Sequence, residues 1–172
     1  MGWIGLGDQG LPMAKAVAEA GFPLHAWAWR STFLDALSAS PHIGHDGVKD
    51  LAAACDIVAL RVRTDDDVLQ LVTGLLEGLR PGSIVVNHGT GLPGNAVRLT
   101  EVCAEAGISA LDATVSGGRP AAEERRLTTM VGGPRPVAEG CEKVFASFSR
   151  HVVRPGDVGA PGRGRSSSTT PC

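Results

Sequence analysis

The chain has 172 residues, 43% hydrophobic and 20% charged, with a formal net charge of -2. That length suits one domain with a sizeable core, and the near-neutral balance gives no electrostatic reason to expect nucleic acid or a membrane surface as partner. The cysteines Cys55, Cys103, Cys141 and Cys172 are widely separated and form no CxxC or Cys/His spacing, which argues against a metal site. No basic segment followed by a long apolar stretch opens the chain, and no apolar run nears the roughly 20 residues of a spanning helix. The chain therefore reads as soluble and cytoplasmic.

In chain order, "WIGL" at 3–6 reads as a short buried strand, followed by a helix over about 9–20 with Pro12 in its first turn. "LHAWAW" at 24–29 and "DIVALRV" at 56–62 are strands. Thr64 with Asp65, Asp66 and Asp67 opens a helix whose apolar face is Val68, Leu71, Val72, Leu75 and Leu79. "PGSIVVN" at 81–87 is a turn and strand, 93–106 a helix, and 108–113 a strand. "LTTMVGG" at 127–133 and "HVVRP" at 151–155 are strands flanking a helix over 136–148. Strands alternating with helices of this length predict an α/β fold, a Rossmann-like, doubly wound, mostly parallel sheet. It forms a single domain over residues 1–155. Residues 156–172, "GDVGAPGRGRSSSTTPC", have almost no large apolar side chain and read as a flexible tail.

"GLGDQG" places Gly5, Gly7 and Gly10 in G-x-G-x-x-G spacing, after a strand and at the start of a helix. Dinucleotide binding needs that context: Gly5 for the tight turn, Gly7 for close approach of a diphosphate, Gly10 for helix–strand packing. The intervening Leu6, Asp8 and Gln9 belong to the same turn, and phosphates would rest on the helix N-terminus. An NAD-type site carries an acidic residue roughly 20 positions on, but none lies between Glu19 and Asp35. The second strand ends instead in Arg30, Ser31 and Thr32, donors suited to a 2′-phosphate, so the expected cofactor is NADP before NAD.

With "IGLGDQGLPMA" at 4–14, "WRST" at 29–32 and "LDATVSGG" at 111–118, the chain resembles the NADP-binding domain of the β-hydroxyacid dehydrogenases. That group includes 3-hydroxyisobutyrate dehydrogenase, tartronate semialdehyde reductase and 6-phosphogluconate dehydrogenase. The resemblance runs from about Met1 to Ala160. It implies reversible hydride transfer between NADP(H) and a small 3-hydroxy acid or its semialdehyde. Ser116, Gly117 and Gly118 would bind the substrate carboxylate, and the loop at Arg61, Val62 and Arg63 and also Thr90 would contact the cofactor. A homo-oligomer is also compatible with it.

The chain departs from the family's usual pattern at five places: Gln9 stands for Met, Trp29 for Asn, "RVR" at 61–63 for a Met-Leu-Pro type loop, Thr114 for Pro, and Arg125 for Gly. The two extra guanidiniums at 61 and 63 would lie near the nicotinamide or its phosphates, or point to solvent. The resemblance further implies a lysine general acid/base on a helix that leads to an all-helical second domain. The three lysines, Lys15, Lys49 and Lys143, do not occupy that place, and after Ala160 the pattern is abandoned. The expectation is a truncated or frame-shifted chain with no catalytic residue of its own. Two alternatives stand beside it: an imine-reductase-like oxidoreductase, and a non-catalytic NADPH-binding or interaction module. His88, after the strand at 84–87, could approach the cofactor or be a hydrogen-bonded structural residue. "EERR" at 123–126 reads as a solvated, ion-paired face.

Overall fold

Trp3 and Ile4 are consecutive in strand β1 (Gly2–Ile4), both fully buried, yet they enter separate cores. Alternation along a strand sends successive side chains to opposite faces, so a sheet with helices on both sides is built from such pairs. The computed structural model describes residues 1–156. After β1 come α1 (Gly10–Glu19), β2 (His25–Trp27), a 3₁₀ segment (Ser31–Leu37), β3 (Ile43–Gly44), α2 (Val48–Ala53) and β4 (Ile57–Leu60). Then follow α3 (Asp65–Leu76), β5 (Ile84–Asn87), α4 (Pro93–Glu105), β6 (Ser109–Ser116) and α5 (Gly118–Glu123). The described chain closes with β7 (Leu127–Gly132), α6 (Arg135–Gly140), α7 (Glu142–Phe148) and β8 (Ser149–Gly156).

The strands form one sheet in the order β3-β2-β1-β4-β5-β6-β7-β8. Every neighbouring pair is parallel except β6 and β7. The predicted doubly wound, mostly parallel sheet is therefore the observed one. One face carries Trp3, Met13, Val17, Leu111, Phe145 and Phe148, the other Ile4, Leu51, Val58, Leu60, Leu71 and Leu75.

Three local expectations change. The helix over 136–148 is two helices, α6 and α7, meeting at Cys141, which caps one and starts the next. Gly140 lacks helix propensity, and the break turns Cys141 fully into the core. The short β3 and α2 were not anticipated. Two residues and six residues are too few to show a period. Strand β6 runs on to Ser116, past the expected end at 113.

The acidic start of α3 is a capped helix start as expected, and the structure closes it as a capping box: Asp67 N–H donates to Thr64 Oγ1 at 3.1 Å, and Thr64 N–H to Asp67 Oδ2 at 3.2 Å. Asp65 has a further role. Its Oδ2 accepts from Leu92 N–H at 3.0 Å and from Asn95 Nδ2 at 2.6 Å, which pins the loop after β5 to α3. The expected tail from 156 lies outside the described residues apart from Gly156, where β8 ends.

Candidate dinucleotide cleft

Strand β1 is flanked by β2 on one side and β4 on the other, so the chain leaves it in one direction and returns on the opposite side. Such a switch point opens a crevice at the carboxyl ends of the strands. The crevice here is a cleft of about 790 Å³. Its walls are the turn from Gly5 to Gly10, the end of β2 at Ala28, Trp29 and Arg30 with Phe33 beyond, and Arg61, Val62 and Arg63 after β4. Asp67 and Arg119 complete the rim.

The three glycines divide as the spacing predicts. Gly5 has φ +101°, and a Cβ there would run into the backbone carbonyl of Arg61. A Cβ at Gly10 would run into the carbonyl oxygen of Gly5. At Gly7 a Cβ would meet nothing within 4 Å. The first and last glycines are required by packing, whereas the middle one faces open space, the place where a ligand backbone can approach. Helix α1 then starts at Gly10, with Leu11 N–H bonded back to Gly7 O at 3.0 Å. Its N-terminus thus opens onto the same space.

Of the predicted cofactor residues, Gly5, Leu6, Gly7, Asp8, Gln9, Gly10, Arg30, Val62 and Arg63 line this cleft. Ser31 and Thr32 begin the 3₁₀ segment beside Arg30, exposed but outside the lining. Thr90 is exposed and also outside the lining. Its loop is held on both sides, by Gly89 N–H donating to Asn87 Oδ1 at 2.9 Å and by the Asp65 contacts. None of the three lysines lines the cleft. Among the described residues no group of three or more His, Cys, Asp or Glu side chains could hold a metal ion.

Ser116 ends β6, exposed, and Gly117 and Gly118 follow with φ +132° and +71°. They open α5, a helix absent from the sequence reading because "GGRPAAEERR" carries glycines, a proline and a charge run. The second residue of α5, Arg119, reaches the cleft rim, where its guanidinium lies 3.9 Å from Asp8 and 2.8 Å from Glu123. The Ser-Gly-Gly turn and the dinucleotide cleft are therefore adjoining through one arginine. Ala28, Trp29, Phe33, Asp67 and Arg119 are the cleft residues that sequence reasoning did not single out as contacts. For Arg119 no local signal existed, since its partner Asp8 is 111 positions away in the chain (119 − 8).

Four of the five departures from the family pattern, all but Trp29, have local partners or backbone conformations in the structure. Arg61 Nη2 donates to Gln9 Oε1, so two unusual residues are partners. Thr114 Oγ1 donates to Gly89 O at 3.1 Å, tying β6 to the loop after β5 in a way a proline could not. Arg125 has φ +55°, a left-handed conformation that favours glycine, and its guanidinium is ion-paired with Glu19.

His88 is not a cleft residue. It is fully buried, stacked on Trp3 at 5.6 Å and edge-on to Phe148 at 5.4 Å and Phe145 at 5.9 Å. Nδ1–H donates to Ala113 O at 2.8 Å, which fixes the tautomer. Burial first, opposed by that hydrogen bond and reinforced by the charge of Arg61, pushes its pKa down to about 4. It is a neutral core histidine, the structural one of the two readings.

Residues 1–156 match the family model described as the NAD binding domain of 6-phosphogluconate dehydrogenase. An NAD-dependent L-serine dehydrogenase of Pseudomonas aeruginosa is 31% identical over 161 residues, covering 92% of this chain and 54% of that one. The mitochondrial 3-hydroxyisobutyrate dehydrogenase of Homo sapiens is 30% identical over 165 residues, covering 92% of this chain and 48% of that one. Among solved structures, a Mycobacterium tuberculosis 3-hydroxyisobutyrate dehydrogenase with L-serine superposes with TM-score 0.92 at 24% identity, over 95% of this chain and 56% of that one. The chain thus spans about half the length of the relatives it matches. Glycine turn, cleft and family model agree: the chain belongs to the NAD-binding-domain family of the 6-phosphogluconate and 3-hydroxyisobutyrate type of β-hydroxyacid dehydrogenases.

Proposed function

We propose that the chain forms the NADP(H)-binding part of a cytoplasmic β-hydroxyacid dehydrogenase that acts on a small 3-hydroxy acid or its semialdehyde. The observation that carries this reading is the open space at Gly7, beside the α1 N-terminus and in a cleft whose mouth presents Arg30. Bound there, the dinucleotide would supply the hydride donor or acceptor. The chain's residues would position it: the turn from Gly5 to Gly10 under the diphosphate, Arg30 with Ser31 and Thr32 toward a 2′-phosphate, and Val62 and Arg63 along the far wall. Thr90 would make a further contact from the loop after β5. Arg supplies a planar fork suited to phosphate, and β2 ends without the carboxylate that a 2′-hydroxyl calls for.

Ser116, Gly117 and Gly118 would take the substrate carboxylate, using one hydroxyl and the backbone N–H groups of the two positive-φ glycines. No lysine lines the cleft, so the lysine general acid/base that the resemblance implies has no counterpart among the lining residues. A homo-oligomer is part of this reading. Residues 1–155 would constitute the binding domain.

Titrating the chain with NADPH and with NADH, followed by reduced-nicotinamide fluorescence, tests the proposal. NADPH is expected to bind at least about 10-fold more tightly, and Arg30→Ala to abolish that preference while sparing NADH, as loss of a hydrogen bond to a charged group predicts. Equal affinity for the two, or no binding of either, overturns the cofactor assignment.

A further inference from the structure

The side wall of the cleft contains a polar bridge between two chain segments that the glycine turn does not require. Arg61, the first residue after β4, is fixed through its backbone: its N–H donates to Ile4 O at 2.8 Å, and its carbonyl lies where a side chain at Gly5 would go. Its aliphatic stem packs over Gly10, with Cγ 3.4 Å from the position a Cβ would take there. From that footing the guanidinium reaches back across the turn. Nη2 donates to Gln9 Oε1, and Nη1 lies 3.4 Å from Val62 O. Gln9 is the residue immediately before α1, so the bridge fixes a permanent positive charge beside the helix N-terminus, half-buried in the cleft wall.

The charge is felt locally. Arg61 is one of the causes that lower the pKa of the buried His88. The cleft lining as a whole carries Arg30, Arg61, Arg63 and Arg119 against Asp8 and Asp67. Asp8 is near Arg119, and Asp67 is engaged in the α3 cap. A half-buried guanidinium held in one orientation gives more to an anion than a solvated one, because less ordering and less screening oppose the contact.

We propose that Gln9 and Arg61 form an anion clamp for the dinucleotide's diphosphate. Arg61 is the contact that sets affinity, and Gln9 is the positioning residue that holds its guanidinium in the wall. The proposal rests on the reading of the cleft as a dinucleotide site, and deepens it by naming which side chains meet the diphosphate in addition to the turn's backbone. Arg61→Met keeps the stem over Gly10 and removes the charge. Gln9→Met keeps the length and removes the acceptor.

The test titrates the full chain and its variants with NADPH and with adenosine 2′-monophosphate, which has the 2′-phosphate but neither phosphate of the diphosphate. Arg61→Met is expected to weaken NADPH by about 10-fold or more, with a shallower salt dependence, and to change the 2′-monophosphate by less than about 2-fold. Gln9→Met is expected to weaken NADPH by about 3-fold in the parent chain and to add nothing in the Arg61→Met background, since coupled residues are non-additive. If Arg61→Met does not fold, as read by its melting transition, Gln9→Met and Arg61→Lys carry the test. Arg61→Lys keeps the charge without the fork and is expected to retain the salt dependence with an intermediate affinity. NADPH binding unchanged in Arg61→Met overturns the clamp alone, as does tighter binding or an equal loss for both ligands. Equal effects of Gln9→Met in both backgrounds overturn the positioning role. Failure of the parent chain to bind either ligand removes the dinucleotide reading itself, and the clamp with it.

Discussion

Two of the glycine-bearing turns that follow strands are built on opposite principles. In the first, Gly5 and Gly10 are dictated by backbone carbonyl oxygens 2.2 and 1.9 Å from where a Cβ would stand, and Gly7 alone faces open space. The turn is enclosed by Trp29, Arg61 and Arg63. In the second, Gly117 and Gly118 are dictated by positive φ, Gly117 also by Ala121, whose methyl lies 2.7 Å from a Cβ there, and Ser116 is exposed. The first turn is an enclosed wall of the cleft, while the second is a presented edge. A glycine can therefore mark either a close approach or a backbone bend, and only the neighbours tell which.

The largest expected effect breaks the first turn. Gly10→Ala drives a methyl into the Gly5 carbonyl and is expected to destabilise the fold by about 3 kcal/mol, because neither backbone can yield. Gly7→Ala meets nothing, so its melting transition is expected to shift by less than about 0.5 kcal/mol. NADPH affinity should nevertheless fall at least about 10-fold in Gly7→Ala, since the methyl occupies the ligand's place. Chemical denaturation paired with NADPH titration reads both. A Gly7→Ala chain that binds like the parent would remove the phosphate role from this turn.

The next effect concerns His88, which links the regions by stacking on Trp3 below the first turn and bonding Ala113 on the strand that ends in the second. The unfolded chain takes up the imidazole proton near 6.5 and the folded chain near 4, so acid favours unfolding. This stabilisation is complete above pH 6.5, declines as pH falls through the interval, and is lost by pH 4, about 3 kcal/mol in all. His88→Phe is expected to be less stable at neutral pH by about 1–3 kcal/mol, with Ala113 O unpaired. It should also show a flatter slope of stability against pH over that interval. Identical slopes in denaturant melts of the two proteins would contradict the assignment.

The smallest effect sharpens the second region. Arg125 follows α5 at φ +55°, and its pair with Glu19 is half exposed, hence worth little. Arg125→Gly relieves the left-handed strain and is expected to stabilise the chain by about 0.5–1 kcal/mol in urea denaturation. Loss of stability would mean the ion pair outweighs the backbone.

The contrast between the turns also explains what could be read before the structure. "GLGDQG" was legible because its requirements are local: a strand before, a helix after, and glycines whose obstacles are fixed by the fold type. The capped helix start at Thr64 was legible for the same reason, being closed within four residues. Asp65's grip on Leu92 and Asn95, Arg119's approach to Asp8 and the Gln9–Arg61 bridge were not. Each joins residues tens of positions apart, and neither propensity nor period carries that information. The break at Cys141 was hidden for another reason. Apolar spacing continues across it, and only core packing decides that one helix becomes two.

The placement of the tryptophans has a practical consequence. Trp3 is sealed between His88 and Phe148, whereas Trp29, edge-on to Trp27 at 5.2 Å, is 52% exposed in the cleft wall. Their emission should differ in colour, blue from the sealed indole and red from the wet one. Energy transfer from Trp29 to a reduced nicotinamide would report occupancy, while Trp3 reports unfolding. The molecule carries two optical channels in its native sequence, and ligand arrival can be followed separately from collapse of the core without attaching a label.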